Sequence, residues 1–202
     1  MGHDEGMPRN REVHVRFLWL LRHGKAASDA PRGGGDRERP LTARGRRDAT
    51  ALGKRLAGED PPLAVGGTRR LDLAVCSSAV RTRQTADLII EQLGNRVPLD
   101  AFSSLYGAGT EAVLGYVREF DDGVRSALVV GHNPTIYRVA WELLRPDGED
   151  RSATADGRLG RQRLEESGFP TCALAVLALE VDSWEDVADG CGTLVGLFAP
   201  PY

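Results

Sequence analysis

Lysine is nearly missing from this 202-residue chain. Lys25 and Lys54 are the only two, so arginine carries almost all of the positive charge. The formal net charge is −3, which gives no reason to expect nucleic acid or an anionic membrane as partner. Cysteine is scarce: Cys76, Cys172 and Cys191 are odd in number and form no CxxC pair. That excludes a disulfide framework and a structural zinc site, and it fits a reducing, cytoplasmic setting. Long apolar runs are missing too. Phe17 to Leu21 is far too short for a membrane span, and it ends in Arg22-His23 rather than a small-residue cleavage site.

What is present is ordinary for a globular protein: 41% hydrophobic and 27% charged residues. The length suits one domain. Residues 1–12 are polar and aperiodic and read as a disordered lead-in that includes His3. One domain is expected over 13–202, with a polar excursion at about 145–168. No signal for oligomeric state stands out.

Val13 to Leu21 is rich in β-formers and ends as a continuous apolar run, which predicts a buried strand. Ala26 to Arg39 is a Gly-, Asp- and Arg-rich loop. Thr42 is placed to cap a helix to about Ala57, with Ala49, Leu52 and Leu56 on one face. A linker spans Asp60 to Arg70. Leu71 to Cys76 reads as a second buried strand, followed by a helix from about Ala79 to Leu93 closed by Gly94. A further helix follows Thr110, with Val113, Leu114, Val117 and Phe120 at helical spacing. Ala127 to Val130 is a short strand. Asn133 and Pro134 then read as the cap and first turn of a helix to about Leu144. A short helix is expected near Leu159 to Glu166, and late strands at Cys172 to Val181 and Cys191 to Phe198. Strands alternating with helices predict an α/β fold with helices on both faces of the sheet.

Three polar clusters each follow a predicted buried strand: Leu21-Arg22-His23-Gly24-Lys25, Cys76 to Arg81, and Val130-Gly131-His132-Asn133-Pro134. In open α/β sheets, ligands bind at the carboxyl ends of the strands. If these strands are parallel neighbours, the clusters share one rim. Their chemistry suits a phosphoryl group, which carries about two negative charges. Arg22 and Arg81 offer planar forks for its oxygens. Gly24 lets the backbone approach closely, and the helix opening at Asn133 offers N–H groups and a positive dipole. Nearby positive charge keeps imidazole neutral, so His23 is placed to attack phosphorus. His132 is placed to donate to an equatorial oxygen as charge shifts.

Leu21-Arg22-His23-Gly24 resembles the signature of the histidine phosphatase superfamily, which includes the phosphoglycerate mutases. Arg39-Pro40-Leu41-Thr42 with Gly45, Arg81 to Ala86, and Gly131-His132-Asn133-Pro134 resemble its later motifs in the expected order. Phe169-Pro170-Thr171 before an apolar strand resembles a segment of the bacterial SixA-type phosphohistidine phosphatases. The resemblance runs from about Arg16 to Val181. It implies a phosphoglycerate mutase-like, three-layer α/β/α sandwich with a mostly parallel central sheet. It implies a covalent phosphohistidine on His23 that water hydrolyses, a pocket of Arg22, Arg81 and His132, and neither metal nor other cofactor. Substrate contacts are also expected from Gly24, Lys25, Arg39 and Asn133.

Many members of that superfamily supply a carboxylate as general acid after the second-arginine helix. Here the comparable stretch is Ser103-Ser104-Leu105-Tyr106-Gly107, with no acid. Glu111 nearby falls in the first turn of a helix, where it complements the dipole. An alkoxide leaving group needs a proton donor, worth about 10²–10⁴ in rate, whereas the imidazole of phosphohistidine departs more easily. The expected substrate is therefore a phosphorylated protein carrying phosphohistidine. A small phosphorylated metabolite, turned over by a general phosphomonoesterase or mutase, is the alternative. Two histidines rimmed by arginines make a poor divalent-cation site, which argues against a metal hydrolase. A module that binds phospho-ligands without turnover is disfavoured because all four pocket residues are present. Asp29 and Asp36 sit in the Gly-rich loop, from which either could approach the site, but solvation is the expectation for both, as for Arg83; Cys76 is expected to be a buried strand end.

Overall fold

A computed structural model describes residues 15–58, 70–94, 96–146 and 159–202. The lead-in at 1–12 with His3, His14, most of the linker before Leu71 and most of the excursion after Pro146 lie outside the described residues. Six strands of the described residues form one sheet: β1 (Val15–Arg22), β2 (Leu73–Ser77), β3 (Leu99–Phe102), β4 (Ser126–Gly131), β5 (Leu174–Glu180) and β6 (Gly192–Phe198). Among the described residues, five α-helices accompany them: α1 (Ala43–Ala57), α2 (Val80–Leu93), α3 (Thr110–Arg118), α4 (Thr135–Leu143) and α5 (Gly160–Ser167).

The strand order is β3-β2-β4-β1-β5-β6. β1, β2, β3 and β4 pair in parallel, while β5 and β6 run antiparallel to their neighbours. β1 shows why its sequence is continuously apolar. Leu18 and Leu20 face one core with Val113, Leu114 and Val139 of α3 and α4. Phe17, Trp19 and Leu21 face the other with Leu52, Leu56 and Ile89 of α1 and α2. A central strand covered on both faces has no polar side to display. The result is the three-layer α/β/α sandwich with a mainly parallel sheet that the sequence predicts.

Two local expectations change. β3 lies outside the predicted strands; it is an edge strand of four residues with Asp100 and Ala101 exposed, so it lacks an apolar run. Asn133 does not cap α4. Pro134 occupies the N-cap position, with no side-chain cap, and the Asn133 amide donates instead to the Phe169 carbonyl at 3.1 Å. Thr42 does cap α1, its side chain accepting from the Gly45 N–H at 3.0 Å.

Candidate active site

The register of three parallel strands brings the distant clusters together. Arg22 lies beside Gly131 across the β1–β4 pair, and Cys76 lies beside Val130 across β2–β4. The next residues along each strand therefore emerge at one rim. The His23 N–H bonds the Gly131 carbonyl at 3.1 Å. The rings of His23 and His132 meet edge-on, 5.1 Å between centroids. Arg22, His23, Arg39, Arg81, Tyr106, His132 and Asn133 all line one cavity of about 440 Å³.

Local contacts fix the ring of His23. Its Nδ1 lies 2.8 Å from the Gly24 carbonyl. A carbonyl only accepts, so Nδ1 carries the proton and Nε2 keeps its lone pair. Gly24 is itself held, its N–H donating to Thr85 Oγ1 at 3.0 Å while that hydroxyl donates to the Arg81 carbonyl at 2.6 Å. Close approach demands glycine here: a Cβ on Gly24 would sit 2.9 Å from the Gly45 carbonyl oxygen. His132 Nε2 lies 2.9 Å from Ser77 Oγ, and its ring meets Tyr106 edge-on at 5.6 Å.

Both imidazoles are held neutral. Burial is the largest cause for His23, pushed down to about 4 with Arg81, Arg22 and Arg39 adding to it against the Gly24 hydrogen bond. Burial also leads for His132, likewise about 4, with His23 and Arg81 adding to it. Arg81 is only 5% exposed. Among the described residues, the buried Nε–H groups of Arg22 and Arg81 find no hydrogen-bond partner, although burying such donors unpaired is costly. Two orphaned guanidinium donors beside a neutral, oriented imidazole describe a cradle for an oxyanion.

The other expected contacts divide. Arg39 lines the cavity and donates to the Ala27 carbonyl at 2.9 Å. Gly24 acts through its backbone. Lys25 is exposed and lies outside the cavity lining; its carbonyl, not its amine, is engaged, accepting from Thr42. Arg83 is exposed and Cys76 fully buried, as expected. Asp36 reverses its expectation: although half-exposed, it is bound to Arg81, Arg39 and Tyr106. Glu111 pairs with Arg118 at 2.5 Å, is 80% exposed and does not line the cavity. Ser77, Thr85 and Tyr106 are contributors that sequence reasoning missed. Ser77 lies within the Cys76–Arg81 cluster and Thr85 one helical turn beyond it, which is the signal the sequence offers.

The family model of the histidine phosphatase superfamily (branch 1) matches residues 18–105. An uncharacterized protein of Mycobacterium tuberculosis is 34% identical over 180 residues, covering 89% of this chain and 99% of that protein. The chain belongs to the histidine phosphatase superfamily. Among solved structures, this histidine phosphatase is similar to a candidate phosphohistidine phosphatase SixA from Nakamurella multipartitia, at 33% identity and TM-score 0.70, covering 93% of this chain and 98% of that one. A candidate SixA from Agrobacterium tumefaciens is 28% identical with TM-score 0.67, covering 92% and 98%. Among the described residues, no helix is long and apolar enough to cross a membrane.

Proposed function

We propose that this histidine phosphatase hydrolyses protein phosphohistidine in the cytoplasm through a phosphohistidine formed on its own His23. The observation that carries this is the His23 ring, tied by Nδ1 to the Gly24 carbonyl with Nε2 left as nucleophile in a cavity lined by Arg22, Arg81 and His132. The two arginines bind the phosphoryl oxygens, and their charge serves in place of a metal. His23 Nε2 attacks phosphorus, the P–N bond to the substrate imidazole breaks, and that imidazole leaves. Water then cleaves the His23 phosphoramidate and releases inorganic phosphate. His132 donates from Nδ1 to a phosphoryl oxygen. Its Nε2 then accepts from the Ser77 hydroxyl, which in turn accepts from the Ala79 N–H at 3.4 Å.

Substrate preference follows from proton supply. Glu111 is turned away into an ion pair, and Asp36 is held ionised, so neither carboxylate is poised to protonate an alkoxide. The similarity to SixA-type proteins points the same way. The test compares wild type with His23→Ala on a phosphohistidine protein and on sugar and nucleotide phosphomonoesters. Faster turnover of the phosphohistidine, abolished in His23→Ala, is expected. Markedly faster turnover of the esters makes the enzyme a general phosphomonoesterase or mutase instead.

A further inference from the structure

The loop between β1 and α1 contains a single 3₁₀ turn, Asp36–Glu38. From it the Asp36 carboxylate reaches three walls of the cavity. Oδ2 accepts from Arg81 Nη2 at 2.8 Å and from the Tyr106 hydroxyl at 2.6 Å. Oδ1 accepts from Arg39 Nε at 2.8 Å and also contacts Arg39 Nη2. The Asp36 main-chain carbonyl accepts from Arg81 Nη1 at 2.7 Å. A carboxylate has about four lone-pair sites, and all four are occupied here. Both Nη atoms of Arg81 are therefore turned toward Asp36, while its buried Nε–H has no partner among the described residues.

We propose that Asp36 is the positioning residue for Arg81, gripping the end of its guanidinium so that the Nε–H edge faces the phosphoryl group. This rests on the phosphatase function proposed above. A loose arginine at that place would lose rotamer freedom on every binding event; one already clamped is preorganised. Asp36 is not the missing general acid. The Tyr106 hydroxyl first, then Arg81 and Arg39, hold its carboxyl well below the usual carboxylate range, and no lone pair is left to carry a proton to a leaving group.

The test measures kcat/KM and vanadate inhibition for wild type, Asp36→Asn, Asp36→Glu and the control Asp29→Asn. 4-Nitrophenyl phosphate and phenyl phosphate serve as substrates with good and poor leaving groups. Asp36→Asn is expected to lower kcat/KM by about 10–100-fold on both substrates, the loss of one or two charge-assisted hydrogen bonds. Vanadate inhibition weakens by a similar factor. Asp36→Glu, one methylene too long, does not restore activity, and Asp29→Asn matches wild type. The Arg81 Nε–H resonance, slow to exchange in wild type, broadens in Asp36→Asn whatever the protein hydrolyses. A wild-type rate and inhibition constant in Asp36→Asn, or a loss confined to phenyl phosphate, overturns the positioning role. A wild type that neither turns over substrate nor binds vanadate counts against the phosphatase function, and the Arg81 resonance then decides the clamp on its own.

Discussion

Replacing Gly45 by alanine tests how tightly the proposed nucleophile, His23, is tied to the scaffold. Helix propensity alone favours the change by up to about 1 kcal/mol, because Gly45 lies in α1. Packing opposes it. A Cβ on Gly45 would stand 2.2 Å from the Lys25 carbonyl oxygen and 2.8 Å from the Lys25 nitrogen. Ordinary contact starts near 3.4 Å, so one backbone must retreat by about 1 Å. The Lys25 carbonyl is held by the Thr42 N–H at 2.8 Å and the Thr42 hydroxyl at 3.0 Å, so the displacement passes to Gly24, whose carbonyl orients His23. Overpacking costs about 1–3 kcal/mol, which leaves a net loss near 1–2 kcal/mol and lowers Tm by about 2–8 °C for a chain of this size. A shift of about 1 Å at the reacting group costs about 10²-fold in kcat. Thermal unfolding and steady-state turnover of 4-nitrophenyl phosphate measure both. A Gly45→Ala protein at least as stable as wild type, with unchanged kcat, refutes the reasoning.

Two further predictions concern pH. Proton NMR titration should place the midpoints of His23 and His132 near 4, so that at pH 5 each is about 90% neutral, against about 3% for an ordinary histidine; a midpoint near 6.5 for either contradicts the burial argument. The same shift sets a stability slope. The unfolded histidines take up protons below about 6.5 and the folded ones only near 4, so the His contribution is intact above that upper value and is lost as pH falls through the window. The urea midpoint should therefore drop less between pH 7 and 4.5 in His23→Asn than in wild type, and an equal drop counts against it.

The sequence shows most clearly what is locally encoded. The run Phe17 to Leu21 announced a doubly covered strand because both of its faces are buried, and the clusters after β1, β2 and β4 announced a common rim because the strands are parallel. β3 escaped because an edge strand with two exposed residues has no apolar signature. Asn133 before Pro134 carries a capping pattern, yet its amide is drawn to the Phe169 carbonyl, a partner 36 positions away. Asp36 was the largest miss. A carboxylate in a Gly-rich loop is usually solvated, and nothing nearby in sequence announces Arg81, 45 residues on, or Tyr106, 70 residues on.

The central claim is chemical: His23 carries the phosphoryl group. Rapid quenching at alkaline pH during turnover, followed by peptide mass spectrometry, looks for it directly. An acid-labile phosphate on the peptide containing His23, absent from His23→Ala, is the predicted result. Phosphate release in a single step, with no phosphorylated protein at any quench time in wild type or in a variant slowed at His132, would contradict it.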